Sequence, residues 1–235
     1  MNLENLEKLP ELVFKYSAET ELEQLNGVQN GTLTPRKRKF YLEKGYDVML
    51  PEGISLKDEK QWTDEELLEI IKKEIDEEKA DKMKEEITRV WPYVVDTLKK
   101  FFAEIGYEMP DNYWIRLTKY GPGGQFYPPN GIIIAFTKNR TWAIESTLIH
   151  EGIHDAIHDL IRKYGFDSGN PDGHWVKEHM VDRLMAKVVP NSYIQEKKQL
   201  GSEKIEKIDE IFDQNYPNVE KILEEINKQI YDKQN

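Results

Sequence analysis

The stretch Thr147–His158, TLIHEGIHDAIH, constrains this chain more than any other. His150 and His154 are four residues apart, and residues at that spacing lie one above the other on a helix, about 6 Å apart along its axis. Two imidazoles so placed can grip one ion from the same side. Glu151 lies about 100° further round the helix, where a carboxylate can reach a metal-bound water without itself ligating. All five histidines of the 235-residue chain fall between His150 and His179.

Composition narrows the setting. The chain is 38% apolar and 33% charged, as expected of a soluble, helix-rich protein with a large solvated surface, and it is long enough for one or two domains. A formal charge of −11 argues against a nucleic-acid duplex or an anionic membrane as partner. With no cysteine, disulfides, thiolate ligands and cysteine nucleophiles are excluded. The first residues, MNLENLEKLPEL, lack a signal-peptide layout, and no apolar run approaches the ~18 residues of a membrane span. The expected setting is cytoplasmic.

Residues 1–58 form a segment of unassigned role, a possible cover or docking element, ahead of a main domain over 59–235. Leu3, Leu6 and Leu9 suggest a short helical stripe and Val13–Tyr16 another brief element. Arg36-Lys37-Arg38-Lys39 reads as a solvated strand edge or loop, with a docking surface for an acidic partner as the alternative. Thr63 to Glu66 is a capping box. A long amphipathic stripe runs from Met83 through Ile87, Val94 and Phe101 to Ile105, with Pro92 expected to break or kink it near Val90–Trp91.

From Asn112 the period shortens. Tyr113–Tyr120 alternates as a strand, Gln125–Tyr127 is a short extended piece between two Pro/Gly turns, and Gly131–Phe136 is a buried strand. Thr141 is a candidate cap for the histidine helix, which runs to about Tyr164 and stops at Gly165, with Trp142, Ile144, Leu148, Ile153 and Leu160 facing the core. A loop over Phe166–Pro171 leads to a second helix over about Asp172–Val189, with Pro190 beyond it. Two plain amphipathic helices close the chain, carrying no visible chemistry.

A catalytic zinc usually takes three protein ligands. His158 would sit about 12 Å from His150 along the same helix, too far to share the ion, so it reads as a helix-face residue. The next helix offers His174, Glu178, His179 and Asp182. The histidine helix climbs ten residues, about 15 Å, beyond His154, so an antiparallel partner must descend a similar depth to return to the metal. His174 is too near the top, and His179 points elsewhere, toward the surface. Glu178 and Asp182 share a deeper face. Glu178 is therefore the expected ligand, and Asp182 the acceptor that fixes an imidazole's tautomer.

HExxH followed 24 residues after its second histidine by Glu178-His-Met-Val-Asp182 resembles the HExxH…ExxxD pattern of gluzincins, the thermolysin-like zinc peptidases. The run EHMVDRLMA is similar to the ligand helix of the prenyl-protein-protease and heat-shock-protease branch, and GGQFYPPNGIIIAF to its strands before the zinc helix. The branch is membrane-embedded and this chain has no spans. The resemblance covers about residues 113–187. It implies an α+β, zincin-like fold: a small, mostly antiparallel sheet packed on the HExxH helix and a Glu-bearing ligand helix, with further helices at both ends. It also implies a zinc metallopeptidase, which the composition and the lack of apolar runs make a soluble one. One Zn2+ would be held by His150, His154 and Glu178, with Glu151 as general base and a peptide or protein substrate added as a strand near Gln125, Phe126 and Tyr127. Tyr193 or Tyr127 would steady the oxyanion. Two other readings stand beside it. In one, GHWVKEHM is similar to the downstream segment of SprT-like proteases acting on DNA-bound proteins, making His174 the third ligand. In the other, the chain is a catalytically inactive zinc-binding interaction protein.

Overall fold

The computed structural model describes residues 9–27, 31–58, 60–136, 144–166, 172–189 and 200–231. Leu3, Leu6, Thr141, Trp142, most of the loop ending at Pro171, Pro190 and Tyr193 lie outside them. The chain divides into two compact units, one comprising Met1–Pro92 and Pro110–Leu148, the other Tyr93–Met109 and Ile149–Asn235.

The first unit holds the only sheet among the described residues. Its strands are β1 (Glu11–Lys15), β2 (Asn112–Thr118), β3 (Gly124–Tyr127) and β4 (Gly131–Ala135), in the spatial order β1-β2-β4-β3. β1 and β2 are parallel, as are β2 and β4; only β3 and β4 are antiparallel. The sheet is therefore mostly parallel, which corrects the antiparallel expectation. Short turns join β2 to β3 and β3 to β4, and a simple meander would pair β2 with β3. Burial decides otherwise. All five residues of β4, Gly-Ile-Ile-Ile-Ala, are buried, whereas β3 is half-buried throughout. A strand apolar on both faces belongs inside a sheet, so β4 takes the place beside β2 and leaves β3 at the edge. The bridge between Met49 and Gly121, bonded both ways at 2.8 and 3.0 Å, anchors the connection that carries the chain outward to β3.

Among the described residues, five helices belong wholly or partly to this unit: α1 (Ala18–Asn26), α2 (Pro35–Lys44), α3 (Asp64–Glu74), the start of α4 (Glu77–Ile105) and the first turn of α5 (Ile144–Lys163). Tyr113, Ile115, Leu117, Ile132 and Ile134 bury one face of the sheet. Trp91 of α4 joins them, its ring 5.5 Å from that of Tyr113 and its Nε1 donating to the Pro10 carbonyl at 3.0 Å. A second cluster joins Leu25 of α1, Leu67 and Ile71 of α3, and Leu33, Ile54 and Tyr120. The Thr63–Glu66 capping box forms at 3.2 and 3.0 Å. Residues 9–58 thus contribute an edge strand and two helices to this unit.

Two local expectations change. α4 runs unbroken through Pro92. The proline forfeits a backbone bond, but Val90, Trp91, Val94, Val95 and Leu98 around it are all buried, and that burial holds the helix together. The basic cluster is neither strand edge nor loop but the first turns of α2, with Pro35 at a position suited to helix starts and a left-handed Gly45 at the end. Arg38 within it is buried, donating to the Asp58 and Lys60 carbonyls. No helix among the described residues is long and apolar enough to cross a membrane.

Glu21 of α1 is a buried acid, 1% exposed. Its carboxyl meets Thr118 Oγ1 and the Lys119 N–H, both at 2.6 Å, and Thr118 Oγ1 also lies 3.1 Å from the Tyr120 carbonyl. A protonated Glu21 can donate to Thr118, freeing the threonine's one proton for Tyr120. Burial raises the Glu21 pKa from 4.5 to about 7. The folded state then binds more protons than the unfolded state between those values, so this group's contribution to stability is full at the acid end and falls as pH rises through the window. Glu21→Gln mimics the protonated form. In urea titrations at a series of pH values, the wild type should lose roughly 2–3 kcal/mol relative to Glu21→Gln between about pH 4.5 and 7.5. Parallel profiles for the two proteins would contradict this.

Candidate metal centre

The second unit contains α5 (Ile144–Lys163) from Ile149 onward, α6 (Gly173–Val188), α7 (Ser202–Asn215), α8 (Val219–Ile226), a π-helical turn over Asn227–Tyr231, and the later part of α4. α5 is apolar on most sides: Ile149, Ile153, Ile157, Leu160 and Ile161 are all buried. It ends where Gly165, at φ 75°, donates to the Arg162 carbonyl and Phe166 donates to that of Ile161, closing the last turn. α6 starts against that closure. A Cβ on Gly173 would lie 2.7 Å from the Phe166 carbonyl oxygen, so a glycine permits the approach. Gly152 serves likewise inside the HExxH turn, since a Cβ there would lie 2.6 Å from Leu98 of α4.

The two helices run antiparallel, and their facing side chains converge as the spacing predicts. His150 Nε2 and His154 Nε2 are 3.2 Å apart; Glu178 Oε2 is 3.7 Å from the first and 3.5 Å from the second. All three side chains are largely buried, at 12%, 6% and 17% exposure. Among the described residues these three form the one His/Asp/Glu group tight enough to hold a metal ion. Donors bound tetrahedrally at about 2.0–2.2 Å stand about 3.3–3.6 Å from one another, which the observed triangle brackets. The donor set, two imidazoles and a carboxylate, suits zinc.

The electrostatics agree. Burial is the largest single influence on both imidazoles and favours their neutral forms; at His154 it prevails, pulling the pKa from 6.5 down to about 3. At His150 burial acts the same way, but Glu178, Glu151 and Asp182 together outweigh it and raise the pKa. Burial would push Glu178 up, yet His154, Lys177 and His150 hold it well below 4.5. A neutral His154 beside an ionised Glu178 presents lone pairs, and the surrounding acids call for a positive charge between them.

Of the other expected site residues, Glu151 is buried at 6% exposure, adjacent to His150 on α5. Asp182 is 2% exposed, and its Oδ1 lies 4.0 Å from His150 Nδ1, the nitrogen turned away from the cluster. His174 stands one turn above Glu178, with Nδ1 3.8 Å from Glu178 Oε1, and it is outside the three-residue group. His158 is half-buried on α5. Gln125, Phe126 and Tyr127 belong to the first unit.

His179 corrects the sequence reading. It is not at the surface but 2% exposed, with Nε2 2.8 Å from Asp209 Oδ1 on α7. One turn on, Arg183 pairs with Asp213 and lies over the Phe212 ring at 4.7 Å. The last helices therefore do carry chemistry, of a supporting kind: α7 clamps the back of the helix that bears Glu178. The signal was present as His179 and Arg183 four apart on one helix, matched by Asp209 and Asp213 four apart on another.

No protein-family description, no curated protein and no solved structure matches this chain.

The His179–Asp209 contact yields a prediction. Asp209→Ala strands a buried imidazole and should cost about 1–3 kcal/mol in urea unfolding, whereas Asp209→Asn should recover most of it. A cost under about 0.5 kcal/mol for the alanine variant would show that the contact does not secure α6.

Proposed function

We propose that the chain is a zinc-dependent metallopeptidase of the gluzincin kind, cleaving peptide bonds in a peptide or protein substrate. The single observation that carries this reading is the convergence of His150, His154 and Glu178 on one point between two consecutive helices, with a buried glutamate next to the first histidine. His150, His154 and Glu178 would hold the ion. When bound, zinc supplies Lewis acidity toward a carbonyl oxygen and lowers the pKa of a coordinated water to about 7.

Each remaining role falls to a named side chain. Glu151 acts as general base toward the attacking water and returns the proton to the departing amine, the double duty that a carboxylate in a largely dry site performs well. Asp182, 4.0 Å from His150 Nδ1, supplies negative charge that favours the proton on that nitrogen and would leave Nε2 for the ion. Glu178 contributes one oxygen, Oε2, to the triangle, while Oε1 faces Lys177 at 3.2 Å and His174 at 3.8 Å. Those contacts fix the carboxylate plane. His174 is thereby a neighbour of the ligand in this reading, in place of the ligand itself.

A purely structural metal site would have no use for Glu151, which gives the deciding experiment. Glu151→Gln should keep about one zinc per chain by atomic absorption and lose at least about a thousandfold in peptide cleavage, measured on a quenched-fluorescence peptide library. Full zinc content with no cleavage by either wild type or variant would favour a metal-stabilised interaction protein. Zinc content should fall sharply in Glu178→Ala and persist in His174→Ala; the reverse order would hand the third position to His174.

A further inference from the structure

One face of the sheet is covered and the other only in part: Ile133 and Arg116 on it are buried, whereas Val13 and Lys15 are exposed. Ladder partners share a face, so Lys15, Arg116, Ile133 and Gln125 form one row across β1, β2, β4 and β3. Val13, Trp114, Gly131 and Tyr127 form the next row. The Trp114 indole lies where a Cβ on Gly131 would come within 2.1 Å of it, and its ring meets that of Tyr127 edge-on at 5.5 Å. Between this face and α1 runs a groove of about 690 Å3, whose walls include Leu22, Glu23, Arg116, Gln125, Tyr127 and Ile133. That is the size of a site for a small organic ligand.

The polar groups in the groove are unusual for a surface depression. Arg116 has a side chain only 8% exposed, held under the rings of Trp114 and Tyr127 at 5.7 and 5.9 Å. Its ion-pair partner among the described residues is Glu23, 2.8 Å away and 54% exposed. An exposed partner returns little for burying a guanidinium. Two buried nitrogens in the same wall, Arg116 Nε and Gln125 Nε2, have no hydrogen-bond acceptor among the described residues. Both are donors, so what is missing is an acceptor, and a carboxylate placed where Glu23 now sits would meet the guanidinium fork. Displacing Glu23 leaves an acid beside the exposed Glu19 and Asp64, three carboxylates against the one lysine, Lys37, that lines the same groove. That side calls for a cation.

We propose that this groove binds a zwitterionic ligand, a short peptide with both ends free, its carboxylate taken by Arg116 and Gln125 and its ammonium by Glu23, Glu19 and Asp64. Leu22, Tyr127 and Ile133 supply the apolar wall for what lies between the two charges. The site lies wholly within the first unit and does not rest on the metal centre.

Calorimetric titration of the full-length protein, treated with chelator so that no cleavage intervenes, tests it with trialanine, trialanine amide and N-acetyl-trialanine. Trialanine should bind, and capping either end should weaken binding roughly tenfold or more. Arg116→Gln should abolish binding. Glu23→Gln should narrow the preference for a free amino end and leave the preference for a free carboxylate. Should Arg116→Gln fail to fold, Gln125→Leu replaces it, with a severalfold weakening expected for trialanine and none for its amide. No heat with trialanine, equal affinity for the three peptides, or undiminished binding in a folded Arg116→Gln or Gln125→Leu protein would overturn the proposal.

Discussion

Three lone-pair-bearing atoms, two imidazole nitrogens and one carboxylate oxygen, face one another across 3.2–3.7 Å in a largely dry place between α5 and α6. Such an arrangement is unfavourable by itself. The nitrogens are acceptors unless protonated, the carboxylate is held ionised, and Glu151 and Asp182 bring further negative charge to the same neighbourhood. Either a proton shared among the rings or a cation at the centre resolves the repulsion. A divalent ion does so without burdening either imidazole with a proton. Most features of the second unit make sense as means of holding these atoms in register.

The means are ordinary packing devices used at close quarters. Gly165 and Phe166 close α5, and Gly173 lets α6 begin against that closure, which sets the depth at which Glu178 meets the histidines. Gly152 admits Leu98 against the HExxH turn. On the far side of α6, His179 and Arg183 are pinned by Asp209 and Asp213 of α7. α6 is thus held by its contacts with the two histidines of α5 on one side and by the His179–Asp209 and Arg183–Asp213 contacts on the other. Such backing lets a carboxylate keep the position a metal demands.

What the sequence revealed depended on how local the governing physics was. Period-3.6 patterns located α4, α5 and α6, the box at Thr63–Glu66 marked the start of α3, and helical geometry alone placed Glu178 opposite His150 and His154. Strand direction was not legible, because nothing local says that β4 inserts between β2 and β3; the clue lay in the unbroken burial of Gly131–Ala135, which only a central strand accommodates. The helix over Arg36–Lys39 was marked only at its ends, by Pro35 and Gly45, while four consecutive basic residues carry no helical period of their own. The burial of His179 was not legible because its partner, Asp209 of α7, is 30 residues further along the chain. Long-range partners of this kind enter only with the tertiary structure.

The most direct test of the central claim is anomalous scattering at the zinc edge from crystals of the protein grown with equimolar zinc. The account predicts one strong peak per chain, within bonding distance of His150 Nε2, His154 Nε2 and Glu178 Oε2 together. No peak at the two histidines, or a peak with Glu178 turned away and His174 in its place, would contradict it.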